Sequence, residues 1–285
     1  GMFVAFAYFE LRHTGDLVLP ILGLPDRIHI IDAPTVLTAF VAAIVMAALI
    51  GLAIYFCVFR WLVTAPPLAR VVASLGLLLY LVAVANLRFP QTAGQVPLAS
   101  ILPQGSFEVS GVAVPSNRII LVVFTIAVAG LLAAAFRFTR FGIATRAAAE
   151  NEKGALLIGQ SPDRLAAANW AIAAVLAGVS VILIASVTKQ LDPLATSLLV
   201  VPALAAMLLG GLRSFMLTAC AGLAIGMAQS GILNYSTRAG WIPSWIPRGG
   251  INFALPFLLI IIALTLFGER LPDRSVTFES NMPKS

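Results

Sequence analysis

The stretch Thr139–Gly159, TRFGIATRAAAENEKGALLIG, carries the densest charge in a chain that is otherwise almost continuously apolar. Read as one helix at ~100° per residue, it has an apolar face and a charged face. The apolar face holds Ala144, Ala147, Ala148, Ala155 and Ile158. The charged face holds Arg146, Glu150 and Lys153, and the first two have the i, i+4 spacing of an ion pair. We therefore predict a single short amphipathic helix.

The residues after this stretch predict where that helix ends and the next one begins. Gly159 is typical of a helix end, because glycine readily adopts the left-handed backbone that closes a last turn. Ser161 followed by Pro162 fits the N-cap and first position of another helix. Since both neighbouring segments are long apolar runs, we expect the charged helix to lie outside the bilayer and to contact another molecule there.

The composition places this chain in a membrane. Of its 285 residues, 60% are hydrophobic and only 11% are charged, whereas a soluble domain has about 25% charged residues. The net charge of +6 raises nucleic acid as a partner. The basic residues lie mostly in loops beside apolar runs, where they orient a membrane protein. We therefore expect a lipid bilayer as the surroundings and no nucleic-acid partner.

Apolar runs of about 20 residues, which is enough to cross a bilayer, recur along the whole chain. They are Thr35–Phe59, Leu68–Leu87, Arg118–Phe136, Leu165–Val187, Leu194–Leu209, Phe215–Leu233 and Ile251–Phe267. Gly1–Leu11 looks like the tail of a further span, which suggests a truncated N-terminus. The predicted fold is an all-α integral membrane protein, a polytopic helical bundle with about seven full transmembrane helices plus one truncated helix.

Three segments between the spans have predictable features. His13–Pro34 is expected to be a polar loop interrupted by prolines. Alternating side chains at Phe107–Val114 predict a small β-hairpin. Asn234–Gly250 is expected to be a loop whose Trp241 and Trp245 lie at the bilayer surface.

The distribution of basic residues predicts the orientation. If the charged helix is cytoplasmic, alternation of the spans puts most of the 18 Lys and Arg residues on the same side. These are Arg60, Arg70, Arg137, Arg140, Arg146, Lys153, Arg164, Arg213, Arg270, Arg274 and Lys284. Because cytoplasmic loops are enriched in Lys and Arg, we expect the charged helix to be cytoplasmic.

The sequence has little chemistry of its own. It contains no phosphate-binding glycine loop and no HExxH or CxxC pattern, so we expect neither catalysis nor a cofactor or metal in this chain. His13 and His29 lie in a predicted loop without companions at ligand spacing. The middles of the predicted spans contain no charged residue with which transport could be coupled to protons. Any energy for transport should therefore come from a partner.

Small residues and one proline offer further hints. Gly222 and Gly226 form a GxxxG pattern in a predicted span, and Gly210 and Gly211 open the preceding turn. Such residues permit close helix packing, either within the bundle or between two chains. Pro202 lies inside Leu194–Leu209, where it predicts a kink or a discontinuous helix. That feature suits either a substrate path or simple curvature.

The charged stretch resembles the permease subunits of branched-chain amino-acid ABC importers, the LivH and LivM family, with the H-type closer. The resembling residues are Thr139-Arg140-Phe141-Gly142, Arg146-Ala147, Glu150-Asn151, Ala155 and Leu157-Ile158-Gly159. Likeness extends over roughly residues 111–231 through Gly111–Arg118, Leu176-Ala177-Gly178, Leu209-Gly210-Gly211 and Ala221–Gly226. By resemblance, the charged stretch is the cytoplasmic segment that docks against an ATPase.

The resemblance implies a transmembrane permease domain at residues 1–267, with its cytoplasmic coupling segment at 137–164, followed by a polar tail or linker at 268–285. It implies residence in the bacterial inner membrane. The implied partners are a second permease subunit, two cytoplasmic ATP-binding subunits and an extracytoplasmic solute-binding protein. The residues implied in coupling are Thr139, Arg140, Gly142, Arg146, Ala147, Glu150, Asn151 and Gly159.

Three other interpretations remain open from the sequence. A permease for urea or short amides has similar motifs. An ATP-independent channel or facilitator would use the charged helix only as an interfacial anchor. A membrane scaffold without transport is the third.

Overall fold

The computed structural model of this chain describes residues 1–20, 27–29, 34–63, 65–89, 105–109, 112–189, 191–212, 214–239 and 248–267. These residues form a mainly helical protein with two short antiparallel hairpins. The chain divides into two compact units. The first contains residues 1–124 and 134–198, and the second contains residues 125–133 and 199–285.

The helices and strands have the following bounds. The helices are α1 (Met2–Thr14), α2 (Val36–Ile54), α3 (Pro67–Arg88), α4 (Ser116–Phe138), α5 (Arg140–Glu150), α6 (Glu152–Leu157), α7 (Pro162–Thr188), α8 (Pro193–Leu198), α9 (Val200–Leu209), α10 (Phe215–Ala239) and α11 (Arg248–Phe267). A π-helical turn at Tyr55–Phe59 continues α2. The strands are β1 (Asp16–Val18), β2 (Arg27–His29), β3 (Ser106–Val109) and β4 (Val112–Pro115).

The core of the first unit surrounds α1. Every side chain from Met2 to Phe9 is buried, and Phe6 stacks on Phe89 with ring centroids 5.0 Å apart. Helix α1 ends where Gly15 adopts the left-handed conformation. At this end Glu10 pairs with Arg27 at 3.1 Å, which ties α1 to the hairpin of β1 and β2. The segment that looked like the tail of a span is therefore the buried centre of this unit.

Helices α2 and α7 pack closely against each other. A Cβ built on Gly51 would lie 2.6 Å from the carbonyl oxygen of Trp170 and 2.8 Å from Cβ of Ala174. The small side chains of Ala39, Ala43 and Ala47 are buried on α2. In a bilayer, apolar helix surfaces gain little free energy by leaving lipid to contact each other. Membrane helices therefore associate largely through close van der Waals packing, which small residues permit.

The second unit has its own small core. Ala205 and Ala206 of α9 are buried with Ile225 of α10, and Leu255 and Leu259 of α11 pack against them. The turn between α9 and α10 is tight, because a Cβ on Gly210 would lie 2.9 Å from Cα of Thr218.

The predicted helical membrane fold is confirmed, and five helices in the described part of the chain are long and apolar enough to cross a membrane. They are Val36–Phe59, Pro67–Arg88, Ser116–Phe138, Pro162–Thr188 and Phe215–Ile232. Shorter apolar stretches lie at Ala195–Leu209 and at Ala254–Thr265, and the second of these is part of the 20-residue helix α11. The hairpin predicted at Phe107–Val114 is also confirmed, with these two residues opposite each other in the register.

The discontinuous helix that Pro202 predicts within Leu194–Leu209 is observed, since this segment breaks at Leu199 into α8 and α9. Two other sequence predictions are wrong in detail. The polar loop His13–Pro34 contains the hairpin of β1 and β2, because Asp16 to Val18 pair with Arg27 to His29. The loop Asn234–Gly250 begins later than predicted, since α10 continues to Ala239. Trp241 and Trp245 lie outside the described residues.

Candidate functional site

The charged stretch is two helices, and the prediction of a single helix is wrong. Helix α5 ends at Glu150, and Asn151 then adopts an extended backbone with φ −146° and ψ 97°. The Asn151 side-chain oxygen accepts a hydrogen bond from the Gly154 amide at 2.9 Å and so caps α6. Asparagine competes for backbone donors in this way, which favours starting a new helix over continuing the old one.

The break changes which side chains face outward. Arg146, Glu150 and Lys153 are exposed as predicted, and Ala155 is buried at 3% exposure. Ile158 was predicted on the apolar face, yet it is 70% exposed. The helical phase restarts at Asn151, so positions beyond it no longer follow the periodicity of α5.

A threonine and a glycine fix the joint between α4 and α5. The Thr139 hydroxyl donates to the Ala135 carbonyl at the end of α4, and the same oxygen accepts from the Gly142 amide at 3.2 Å. Gly142 is buried, and a Cβ there would lie 2.5 Å from the Phe136 carbonyl oxygen. Phe136 and Phe141 meet edge to face across the joint. The angle between the two helices is therefore set by packing on both sides of Thr139.

Arg146 contacts the end of α4. Its Nη2 donates to the Arg137 carbonyl at 3.4 Å, a favourable place for a cation because carbonyls at a helix C-terminus carry partial negative charge. In the described structure Arg146 and Glu150 form no ion pair, so their spacing on α5 is not used as predicted. Arg140 is the exposed first residue of α5, and the Ala147 carbonyl accepts the Asn151 amide at 2.9 Å.

The joint between α6 and α7 is equally compact. Gly159 has φ +80°, and its amide donates to the Leu156 carbonyl at 3.0 Å. The next amide, of Gln160, donates to the Ala155 carbonyl at 2.9 Å. Ser161 then occupies the N-cap of α7 with Pro162 at the first helical position, as predicted. The helix end at Gly159 is confirmed, because this backbone conformation favours glycine.

The turn between these joints presents apolar side chains outside the spans. Leu156, Leu157 and Ile158 are 56%, 89% and 70% exposed, and Ile143 of α5 is 53% exposed. The same segment of the chain carries the exposed charged side chains of Glu150 and Lys153. Exposed apolar side chains together with charged ones on a segment between two spans are typical of a protein–protein contact surface.

A second set of contacts lies at the N-terminal end of α7, and sequence reasoning missed it. The Tyr55 hydroxyl donates to Asp163 Oδ1 at 3.1 Å, and Arg60 Nε lies 3.7 Å from Asp163 Oδ2. Phe59 stacks on Trp170 with ring centroids 4.3 Å apart. These pairs lie more than 100 residues apart in the chain, so spacing could not have indicated them.

The predicted helix-packing glycines differ in their surroundings. Gly210 is tightly packed, and Gly211 has φ +67° in the turn before α10. A Cβ on Gly222 would lie 3.7 Å from Cβ of Ala206, an ordinary contact distance. A Cβ on Gly226 would meet no described atom within 4 Å. The described residues contain no group of three or more potential metal ligands.

The spans and the exposed segment between two of them define a multi-span helical membrane protein. The family model described as "Branched-chain amino acid transport system / permease component" matches residues 1–265. The chain belongs to this family. Its membership confirms the resemblance carried by the charged stretch.

Curated relatives agree with this assignment. The chain is 25% identical to the LivH permease protein of a high-affinity branched-chain amino acid transport system in Salmonella typhimurium, over 92% of this chain and 84% of the relative. The LivH protein of Escherichia coli K12 is 26% identical with the same coverage. The BraD permease of Pseudomonas aeruginosa is 27% identical over 68% of this chain and 64% of the relative. No solved structure matches significantly.

Membership establishes several points. The chain is a permease component of a transport system and a multi-pass protein of the bacterial inner membrane, not a catalytic subunit. It works together with other transporter subunits. The predictions of class, membrane location and non-enzymatic role are thereby confirmed.

Proposed function

We propose that this chain forms the translocation path of an ATP-binding-cassette importer for branched-chain amino acids, and that α5 and α6 dock against a cytoplasmic ATPase subunit. Branched-chain amino acids are proposed as the solute because the names of the relatives include them. An apolar path suits it, since the charged residues of the described spans lie near helix ends, where they face the membrane surface.

One observation carries the docking proposal. Leu157 and Ile158 are 89% and 70% exposed on a segment held firmly at both ends, by Thr139 and Gly142 on one side and Gly159 on the other. Exposed apolar side chains on a segment whose two ends are held in fixed conformations outside the bilayer favour binding of a partner that covers them. A segment that served only as an interfacial anchor would not need both of its ends fixed in this way.

The proposed assembly contains further subunits. We propose a second permease subunit, two cytoplasmic ATP-binding subunits and an extracytoplasmic solute-binding protein, with residues 1–267 as one permease domain in the membrane. In this arrangement the chain itself needs no cofactor, because ATP is bound and hydrolysed by the partner. The coupling residues proposed are Thr139, Arg140, Gly142, Arg146, Ala147, Glu150, Asn151 and Gly159.

Co-purification tests the docking. The chain is expressed together with a candidate ATP-binding subunit from the same organism, extracted in mild detergent and captured by a tag on the permease. Leu157→Glu should abolish recovery of the ATPase and ATP-dependent uptake of radiolabelled leucine. Gln160→Glu is the matched control, since it adds a charge at an exposed position close by without removing an apolar contact.

The same experiment separates the alternatives. Full uptake in a chain lacking residues 144–159, or uptake that continues after ATP depletion, would support a facilitator instead. Uptake of urea or short amides in competition with leucine would revise the solute while leaving the class unchanged.

A further inference from the structure

Asp163 links α7 to the C-terminal end of α2 and its π-helical turn. This contact lies in the first unit, which also contains α5 and α6. Asp163 lies in the first turn of α7, and its two carboxylate oxygens face Tyr55, the first residue of the π-helical turn that continues α2, and Arg60, the residue directly after that turn. Tyr55 is buried at 3% exposure, whereas the side chains of Asp163 and Arg60 are more than half exposed. The buried hydroxyl is thus the better-defined partner, because exposed ion pairs contribute little.

The π-helical turn is what brings both partners to one carboxylate. In a regular α-helix, residues five apart point about 140° away from each other, given ~100° per residue. In a π turn, residue i+5 bonds to the carbonyl of residue i and lies roughly above it. The Arg60 amide makes this bond to the Tyr55 carbonyl at 2.8 Å. The wider turn therefore aligns Tyr55 and Arg60 toward Asp163.

The same carboxylate is close in sequence to the docking segment. Only three residues separate Gly159, in the turn after α6, from Asp163, and α6 also packs against α7. Pro162 restricts the backbone between them. A displacement of α6 must therefore act on the first turn of α7, and the carboxylate is placed to carry it to α2.

We propose that Asp163 is a positioning residue for energy coupling: through Tyr55 and Arg60 it transmits movement of the α5–α6 segment to α2. This inference rests on the proposed function, because it assumes an ATPase docked on α5 and α6. The stack of Phe59 on Trp170 lies next to the contact and keeps the two helices in register. Without the Asp163 carboxylate, movement of the ATPase can displace α7 without displacing α2.

The test uses the complete transporter in proteoliposomes and measures ATP hydrolysed per leucine imported. Asp163→Ala should raise this ratio severalfold while the ATPase still co-purifies. Tyr55→Phe removes only the hydroxyl and should raise the ratio in the same direction, and the double variant should be no worse than Asp163→Ala alone. A variant that merely destabilises the fold would lower yield and leave the ratio unchanged.

Arg164→Gln is the matched control, since Arg164 is exposed in the same turn and its side chain makes no hydrogen bond or ion pair among the described residues. It should leave the ratio at the wild-type value. An unchanged ratio in both Asp163→Ala and Tyr55→Phe would overturn the inference. The proposed function is tested separately, by co-purification of the wild-type chain with the ATPase. If the wild-type chain does not recover the ATPase, the proposed function fails; if it does and the ratio is unchanged in the variants, only the coupling role of Asp163 fails.

Discussion

Gly142 and Phe136 approach so closely that a Cβ on the glycine would lie 2.5 Å from the phenylalanine carbonyl oxygen. The obstacle is backbone at the end of α4, which cannot rotate out of the way as a flexible side chain could. The direction in which α5 leaves the membrane domain therefore depends on the absence of a side chain at one position.

Gly142→Ala should reorient α5 and weaken ATPase docking. Overpacking of this kind costs about 1–3 kcal/mol, and here relief requires α5 to move away from α4. We expect reduced ATPase recovery and slower leucine uptake, measured with the permease at equal abundance in the membrane. Gly130→Ala in α4 is the control, because a Cβ there meets no described atom within 4 Å. Equal uptake in both variants would contradict a fixed joint.

Charge reversal at Arg146 and Glu150 should give independent effects. Arg146 contacts the Arg137 carbonyl, a contact worth about 0.3–1 kcal/mol for a cation at a helix C-terminus. Arg146→Glu should therefore weaken the end of α4, while Glu150→Arg should alter only the exposed surface. Because the two residues do not pair in the structure, the double reversal should not restore uptake. Recovery to the wild-type rate would show that they pair when the ATPase is bound.

Asn151→Ala should favour a single continuous helix in place of α5 and α6. The substitution removes the cap of α6, at a cost of about 1 kcal/mol, and alanine is the best residue for continuing α5. A continuous helix would turn Leu157 and Ile158 away from their present directions, so ATPase recovery should fall. Asn151→Asp keeps a capping oxygen and should retain docking. Crosslinking from a cysteine at position 157 to the ATPase would report the change directly.

The sequence predicted the spans well because each depends on local composition. The bounds of α3, α4 and α7 differ from the predicted ones by three residues or fewer, as apolar runs and nearby prolines mark the ends. The break at Asn151 was also present in the sequence, since asparagine favours caps, but the helical periodicity across it was the more prominent pattern.

Features that depend on contacts between distant segments could not be predicted. The burial of α1 arises from its contacts with α2, α7 and Phe89, and the Tyr55–Asp163 hydrogen bond joins α2 to α7, which are far apart in the chain. A π turn has no residue pattern of its own, since it is a local insertion tolerated where a neighbour stabilises it.

Gly51→Ala should destabilise the first unit strongly. A Cβ at this position would meet the Trp170 carbonyl oxygen at 2.6 Å and would push α7 away from α2. The expected cost is about 1–3 kcal/mol, seen as a lower Tm of the detergent-solubilised protein. Gly76→Ala on α3 meets no described atom within 4 Å and should raise or preserve Tm, because alanine favours helix by about 1 kcal/mol over glycine. Matching Tm values for the two variants would argue against close α2–α7 packing.

Pro202→Ala should fuse α8 and α9 and thereby slow transport while stabilising the protein. Pro202 has no amide to bond the carbonyl four residues earlier, that of Leu198, and its ring crowds that carbonyl. The helix breaks at the next residue, Leu199, which is also where the chain passes from the first compact unit to the second. Alanine removes a penalty of up to about 3 kcal/mol against a continuous helix.

Pro256 provides the comparison, because α11 continues through it without a break. A proline alone therefore does not always divide a helix in this chain, whereas at Pro202 the helix breaks directly after Leu198, whose carbonyl the proline leaves without its amide partner. We expect Pro202→Ala to raise Tm and lower the leucine uptake rate, since a continuous helix can no longer change direction at Leu199. Pro256→Ala should leave α11 a single helix and spare uptake more than Pro202→Ala does. A Pro202→Ala variant with raised Tm and full uptake would show that the break is curvature without a role in transport.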